Sequence, residues 1–176
     1  RGLLSVPNCQ KNQRTSPMTT IRPARDEDAP DVIRVIDTCY REYEGCVLLV
    51  DKEEPELKAP ASAFAELGGA FWVAETDDGI VATCAVAPAD APGFARIHKL
   101  YVAKDARGQG LGAKLCALAE ETAEGFGADR MMLYTDTRFT EAHRLYERLG
   151  YHRLPGEQHR ADASHSVEYY YAKTLK

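Results

Sequence analysis

The sequence predicts a single α/β domain built on a mixed, mostly antiparallel sheet flanked by helices. Three observations lead there. The chain has 176 residues, 44% of them hydrophobic and 28% charged, the size and balance of one globular unit with a full core. Its apolar residues switch between a period of two and the helical period. The segments so defined run β-α-α-β-β-β-α-β-α-β-β, and the central strand-helix-strand unit supplies one parallel crossover in a sheet otherwise made of hairpins.

Each element has its own warrant. Residues 19–22 read as a short strand that Pro23 ends. Asp26 or Asp28 can cap a helix with Pro30 in its first turn, and Val32, Ile36, Cys39 and Tyr43 recur at helical spacing. Residues 44–58 are mostly acidic around a brief apolar run at 47–50, and the Pro- and Ala-rich stretch after them predicts a short helix closed by Gly68 and Gly69. Segments 70–75 and 80–86 flank Asp77, Asp78 and Gly79, a hairpin signature because Asp-Gly tolerates the positive φ of a tight turn. A loop with Pro88, Pro92 and Gly93 leads into a third long strand at 95–102. Residues 109–124 carry Leu111, Leu115, Leu118 and Ala119 on one helical face before Gly125 and Gly127. A strand at 130–136 and an amphipathic helix at 140–149 follow, with Gly150 as the stop. Segments 151–154 and 167–175 predict a closing antiparallel pair joined by a polar loop.

Charge divides the chain. Residues 1–17 hold Arg1, Lys11 and Arg14 and no acid. They also lack an initiator Met and a signal-peptide apolar core, so they are read as upstream or artificial sequence, disordered and outside a domain that spans 18–176. The domain then has 19 basic residues against all 27 acidic ones, a poor match for nucleic acid, which needs a basic face. No apolar run reaches the roughly 20 residues of a membrane span. Five cysteines, an odd number without a CxxC pair or zinc-like spacing to histidine, predict a reducing cytoplasm, no metal, and buried roles for Cys39, Cys84 and Cys116. His143, His152, His159 and His165 are expected at surface or loop positions.

Against this acidic background residues 96–114 carry Arg96, Lys99, Lys104, Arg107 and Lys114 with only Asp105 opposed. Within that stretch a buried strand, Leu100-Tyr101-Val102, passes through a basic loop with three alternate glycines, Gly108, Gly110 and Gly112, directly into a helix. Glycine lets backbone approach a ligand closely, and the free N–H groups of a helix start attract anions, so a pyrophosphate is the natural guest. Neither GxGxxG nor a Walker Gly-Lys-Ser/Thr ending is present.

Arg107-x-x-Gly110-x-Gly112 after a Leu-Tyr-Val strand resembles the acetyl-CoA-binding signature of the GCN5-related N-acetyltransferases, the GNAT superfamily. Thr20-Ile21-Arg22-Pro23-Ala24 looks like the family's first strand, and Leu145-Tyr146-Glu147-Arg148-Leu149-Gly150-Tyr151 like its late helix-to-strand junction. The resemblance implies a GNAT-like sheet splayed at a cofactor cleft between the strands ending at Val102 and Asp136. Acetyl-CoA would be the co-substrate, its pantetheine pairing with backbone at Leu100, Tyr101 and Val102. Amides of Arg107, Gly108, Gln109, Gly110, Leu111 and Gly112 would hold its pyrophosphate.

The same resemblance makes Tyr146 the catalytic general acid toward the leaving thiolate, chemistry that suits a phenol titrating near 10 against a thiol near about 8.5. A family glutamate early in the strand is replaced by Arg96, so His98, two residues along on the same face, is the candidate base, with Glu75 and Asp136 as weaker ones. A family asparagine three residues before Ala142 is replaced by Phe139, which puts the cofactor grip there in question. Six acids against two bases over 42–58 suggest a cationic acceptor: a small amine, polyamine, amino sugar or basic peptide end. The alternative function is a non-catalytic acyl-CoA-binding or regulatory module. Homodimers, common among relatives, are a further expectation.

Overall fold

The computed structural model describes residues 18–175; the expectation for residues 1–17 lies outside them. Eight strands form one sheet: β1 Thr20–Pro23, β2 Ala70–Thr76, β3 Gly79–Pro88, β4 Phe94–Val102, β5 Arg130–Asp136, β6 His152–Arg153, β7 Gln158–His159 and β8 Val167–Thr174. Their spatial order is β1-β2-β3-β4-β5-β8-β6, with β7 also paired to β8. Among the described strands only β4 and β5 run parallel. The helices are α1 Ala29–Tyr40, α2 Val50–Glu53, α3 Pro60–Glu66, α4 Leu111–Gly125 and α5 Thr140–Arg148. The expected single α/β domain, its hairpin and its crossover through α4 are therefore present.

Alternation along the strands separates two cores. Trp72, Cys84, Val86, Ile97, Met131 and Leu133 pack with Leu111, Leu115 and Ala119 of α4 on one face. On the other, Val73, Ala85 and Ala87 pack with Val32 and Ile36 of α1 and Phe64 of α3. Cys39, Cys84 and Cys116 are buried as expected, and burial pushes the Cys116 thiol up to about 12.

Three local readings change. Asp28 stands at the N-cap of α1 without a capping side-chain bond, because its carboxylate is taken by Arg22 at 2.7 and 2.9 Å and by the Arg25 N–H. Tyr43 lies beyond the end of α1. His143 is buried in α5 rather than at the surface, its Nε2 2.9 Å from the Asp136 carbonyl and its ring against Tyr169 and Tyr171.

The site is set by an irregularity in β4. On β3, Thr83 faces Tyr101 and Ala85 faces His98, so Lys99 and Leu100 together stand opposite Cys84. That is a β-bulge, which bends its strand and raises the local twist. Lys99 takes φ of +51°, unusual for a side chain with a Cβ, and its carbonyl accepts the Thr83 hydroxyl at 2.7 Å. The extra residue also shifts the alternation. Ile97 faces the α4 core, but so do Leu100 and Val102, while Tyr101 joins the α1 side. Parallel pairing to β5 covers Phe94, Ala95 and Arg96 and goes no further.

One position tests the close approach of α3 to this sheet. A Cβ at Gly69 would overlap the Val86 carbonyl oxygen and lie 2.8 Å from the Ala87 Cα. Backbone cannot yield there as a side-chain tip would, so Gly69→Ala is expected to cost about 2–3 kcal/mol, read as a lower urea midpoint at unchanged m-value.

Candidate active site

Where β4 leaves β5, a cleft of about 910 Å³ opens through the sheet, within the range of small-molecule sites. One wall is the glycine loop and the start of α4. The others come from the end of α1, from α5, and from the loop between β7 and β8.

After the short 3-10 turn Lys104–Ala106, Gly108 and Gly110 adopt φ of +77° and +75°. No atom lies within 4 Å of where a Cβ would stand on either, so the loop presents bare backbone. The first intrahelical bond of α4 is from Lys114 N–H to the Gly110 carbonyl at 3.0 Å. The N–H groups of Leu111, Gly112 and Ala113 therefore precede the helical ladder. Exposed Gln109 continues this surface. Gly112 has a second reason to be glycine: its Cβ would meet Leu145 Cδ2 at 2.8 Å, where α4 crosses α5. The open cradle and its donors fit a pyrophosphate-bearing cofactor.

The Arg107 side chain does something the sequence did not suggest. Its Nε donates to the Val102 carbonyl at 2.9 Å, and its terminal nitrogens reach Glu42 at 2.8 and 2.5 Å and Glu141 at 3.3 Å. These bonds raise its pKa above the ordinary range, Glu42 foremost. It ties the loop to α1, β4 and α5 and brings little free charge to a phosphate. Lys99 is likewise spent, between Glu54 and Glu56. Of the five bases at 96–114, Arg96, Lys104 and Lys114 have no ion pair among the described residues, and of these Lys104 and Lys114 are exposed, so only part of the local basicity is open to a phosphate. Arg144 and Arg148 of α5 also border the cleft.

Tyr146 is 5% exposed, between Tyr151 and Tyr171, and lines the cleft. No described residue hydrogen-bonds its hydroxyl, and burial raises its pKa well above 10. Tyr101 and Leu100 line the same cavity. His98 does too, its ring edge-on to Phe64. Burial, then the Arg96 charge, lowers its pKa to about 3, so the imidazole is neutral across the working range and weakly basic.

The other acidic candidates are committed elsewhere. Glu75 pairs with Arg22 at the sheet edge, outside the cleft. Asp136 feels burial, which would raise its pKa, but the two-pronged Arg138 at 2.8 and 2.7 Å lowers it below the usual range. Four of the six acids in the acidic stretch are in ion pairs as well: Glu42 with Arg107, Glu54 and Glu56 sharing Lys99, and Asp51 with Lys58. Phe139 packs on Tyr40 and Tyr43, forming an aromatic wall between α1 and α5.

Sequence reasoning missed three residues at the far end of the cleft, Arg160, Ser164 and Glu168. The loop that carries the first two is latched over the cavity: Ser164 Oγ accepts from Val47 N–H at 2.9 Å and donates to its carbonyl at 3.1 Å, and Ala163 N–H donates to Glu53. A polar loop has no periodicity, so nothing in the sequence indicated what it covers. Among the described residues no group of three or more His, Cys, Asp or Glu could hold a metal, and no helix is long and apolar enough to cross a membrane.

A splayed mixed sheet with a glycine loop opening a helix at the split defines an acyl-CoA-type transferase fold. Residues 32–151 match the acetyltransferase (GNAT) family, and the chain belongs to that family: it is an N-acetyltransferase that uses acetyl-CoA. Uncharacterized N-acetyltransferase YjgM of Escherichia coli K12 is 31% identical over 134 residues, 73% of this chain and 78% of that protein. A GNAT-family acetyltransferase structure from Staphylococcus aureus Mu50 superposes with a TM-score of 0.76 at 22% identity, over 90% of this chain and 100% of the other. YncA of Salmonella typhimurium, solved with its cofactor acetyl-CoA, gives 0.69 at 16% identity, over 90% and 95%.

The His98 environment has a measurable consequence. The unfolded chain protonates this histidine at about 6.5 and the folded chain only at about 3, so below pH 6.5 the unfolded state binds more protons and stability is lost as the pH is lowered. His98→Gln is expected to lose less stability than the parent between pH 6.5 and 4 in urea titrations, and the His98 nitrogens should report a neutral ring at pH 5 by NMR.

Proposed function

We propose that the protein transfers acetyl from acetyl-CoA to a primary amine by direct attack in a ternary complex, with Tyr146 as the general acid. The observation that carries this reading is the Tyr146 hydroxyl, free of protein partners in a cleft continuous with the bare-backbone loop.

In this reading the amides from Arg107 to Gly112 and the dipole of α4 hold the pyrophosphate. Backbone along Leu100 and Tyr101 on the side facing β5 pairs with pantetheine. The Val102 carbonyl contributes less, since Arg107 already donates to it. When bound, acetyl-CoA supplies an acetyl group activated as a thioester, whose C–S bond gives way to the new C–N bond.

The phenol of Tyr146 stays protonated at every working pH, so it keeps a proton for the departing sulfur. Neutral His98 accepts a hydrogen bond from the amine and orients it, while the amine's surplus proton leaves through the polar end of the cleft to solvent. Protonation of His98 is too unfavourable for it to store that proton. An α-amine, titrating near about 7.8, needs less help than a lysine-like one near about 10.4.

Tyr146→Phe keeps the ring contacts and removes the proton. It is expected to lower kcat for CoA release about 100-fold or more while acetyl-CoA binding by calorimetry stays within about twofold. Unchanged turnover would remove Tyr146 from the chemistry, and no turnover by the parent across a broad amine panel would favour the acyl-CoA-binding module. Gly110→Ala forces φ of +75° on a residue with a Cβ, at a cost of about 1–2 kcal/mol, and should weaken acetyl-CoA binding by a similar amount.

A further inference from the structure

At the end of the cleft away from the glycine loop, most charges are matched. Lys99 has Glu54 and Glu56, Arg138 has Asp136, and Glu53 and Asp162 accept backbone N–H groups. Three groups that line this end have no hydrogen bond or ion pair from their charged atoms among the described residues: the guanidinium groups of Arg96 and Arg160 and the carboxylate of Glu168. Arg96 Nε and Glu168 Oε2 are themselves buried without a partner. Burying charged atoms this way is costly, and native proteins seldom leave it uncompensated.

Sheet register fixes where these groups stand. The Arg96 guanidinium lies 4.0 Å over the ring of Tyr134. Tyr134 faces Tyr170 across β5 and β8, ring against ring at 4.9 Å, and Glu168 faces Asp136 one step further along the same face. The Arg96 and Arg160 charges act on Glu168 through space, yet neither forms an ion pair with it. Arg96 rests on the Tyr134 ring and Glu168 stands on β8 opposite Asp136, with no bond between the two. Fixed opposite charges held apart in one cavity are the complement of a ligand that carries both.

We propose that the acceptor is an anionic amine, its carboxylate or comparable anionic group held by Arg96 and Arg160 and its ammonium facing Glu168. The inference rests on the acetyltransferase reading and narrows its substrate. It takes the place of the expectation of a purely cationic acceptor, since four of the six acids that suggested one, Glu42, Asp51, Glu54 and Glu56, are in ion pairs within the fold.

Matched amine pairs test it by CoA release: amino acids against their decarboxylated amines, and O-phosphoethanolamine against ethanolamine, which separates carboxylate from phosphate recognition. The anionic member of at least one pair should have kcat/KM tenfold or more above its partner. Arg96→Gln should bring that ratio to within about twofold of one, with acetyl-CoA binding retained as evidence of folding. Arg160→Gln, on a loop, should lower the same ratio and decides the matter if Arg96→Gln does not fold. Amines lacking the anionic group equal or better in every pair, or a ratio untouched by these variants, overturns the anionic-amine assignment and leaves the transferase standing. Acetyl-CoA binding with no amine acetylated overturns both.

Discussion

The structure depends on the two residues that β4 places opposite Cys84. The parallel pairing begun at Phe94, Ala95 and Arg96 stops just before that bulge, and the cleft opens beyond it. The cost of the left-handed Lys99 backbone is met locally, by the Thr83 hydroxyl on its carbonyl and by Glu54 and Glu56 on its ammonium. The same shift turns Leu100 and Val102 toward α4 and Tyr101 toward α1, so one extra residue decides which side chains line each half.

Around that opening the protein spends its charges on holding walls together. Arg107 joins the glycine loop to the end of α1, the end of β4 and the start of α5, and Arg138 gathers Asp136, the Glu44 carbonyl and the Ser164 carbonyl. Such pairs contribute modestly to stability where they are exposed. Their geometric effect is larger, because each fixes a loop against an element from a distant part of the chain. Many of the acidic residues counted in the composition are the counterparts of these arginines and lysines.

Much of the fold was legible because periodicity reports which face of an element is buried. The hairpin around Asp77 to Gly79, the α4 crossover, the amphipathic α5 and the buried cysteines all follow from local pattern. The glycine loop was legible too, since its φ values are a property of residue type. What periodicity does not carry is the partner. That Arg107 meets Glu42, that Lys99 meets Glu54, and that Glu168 stands near Arg96 depends on contacts across 45 to 72 positions of sequence. The bulge was hidden for a related reason: it falls on lysine and leucine, with no glycine to mark it. His143 was misread because a histidine on the polar-looking α5 gives no sign that the Asp136 carbonyl awaits its ring nitrogen.

The two separate cores bear on how such a protein can diverge. Leu111, Leu115 and Ala119 secure the helix that opens on the glycine loop, whereas Val32, Ile36 and Phe64 secure the helices behind Arg96 and His98. Because the sheet divides these sets, a side chain changed in one core is not in direct contact with the other. Inheritance can then act on the halves separately, with one lineage keeping its donor apparatus while its choice of acceptor drifts.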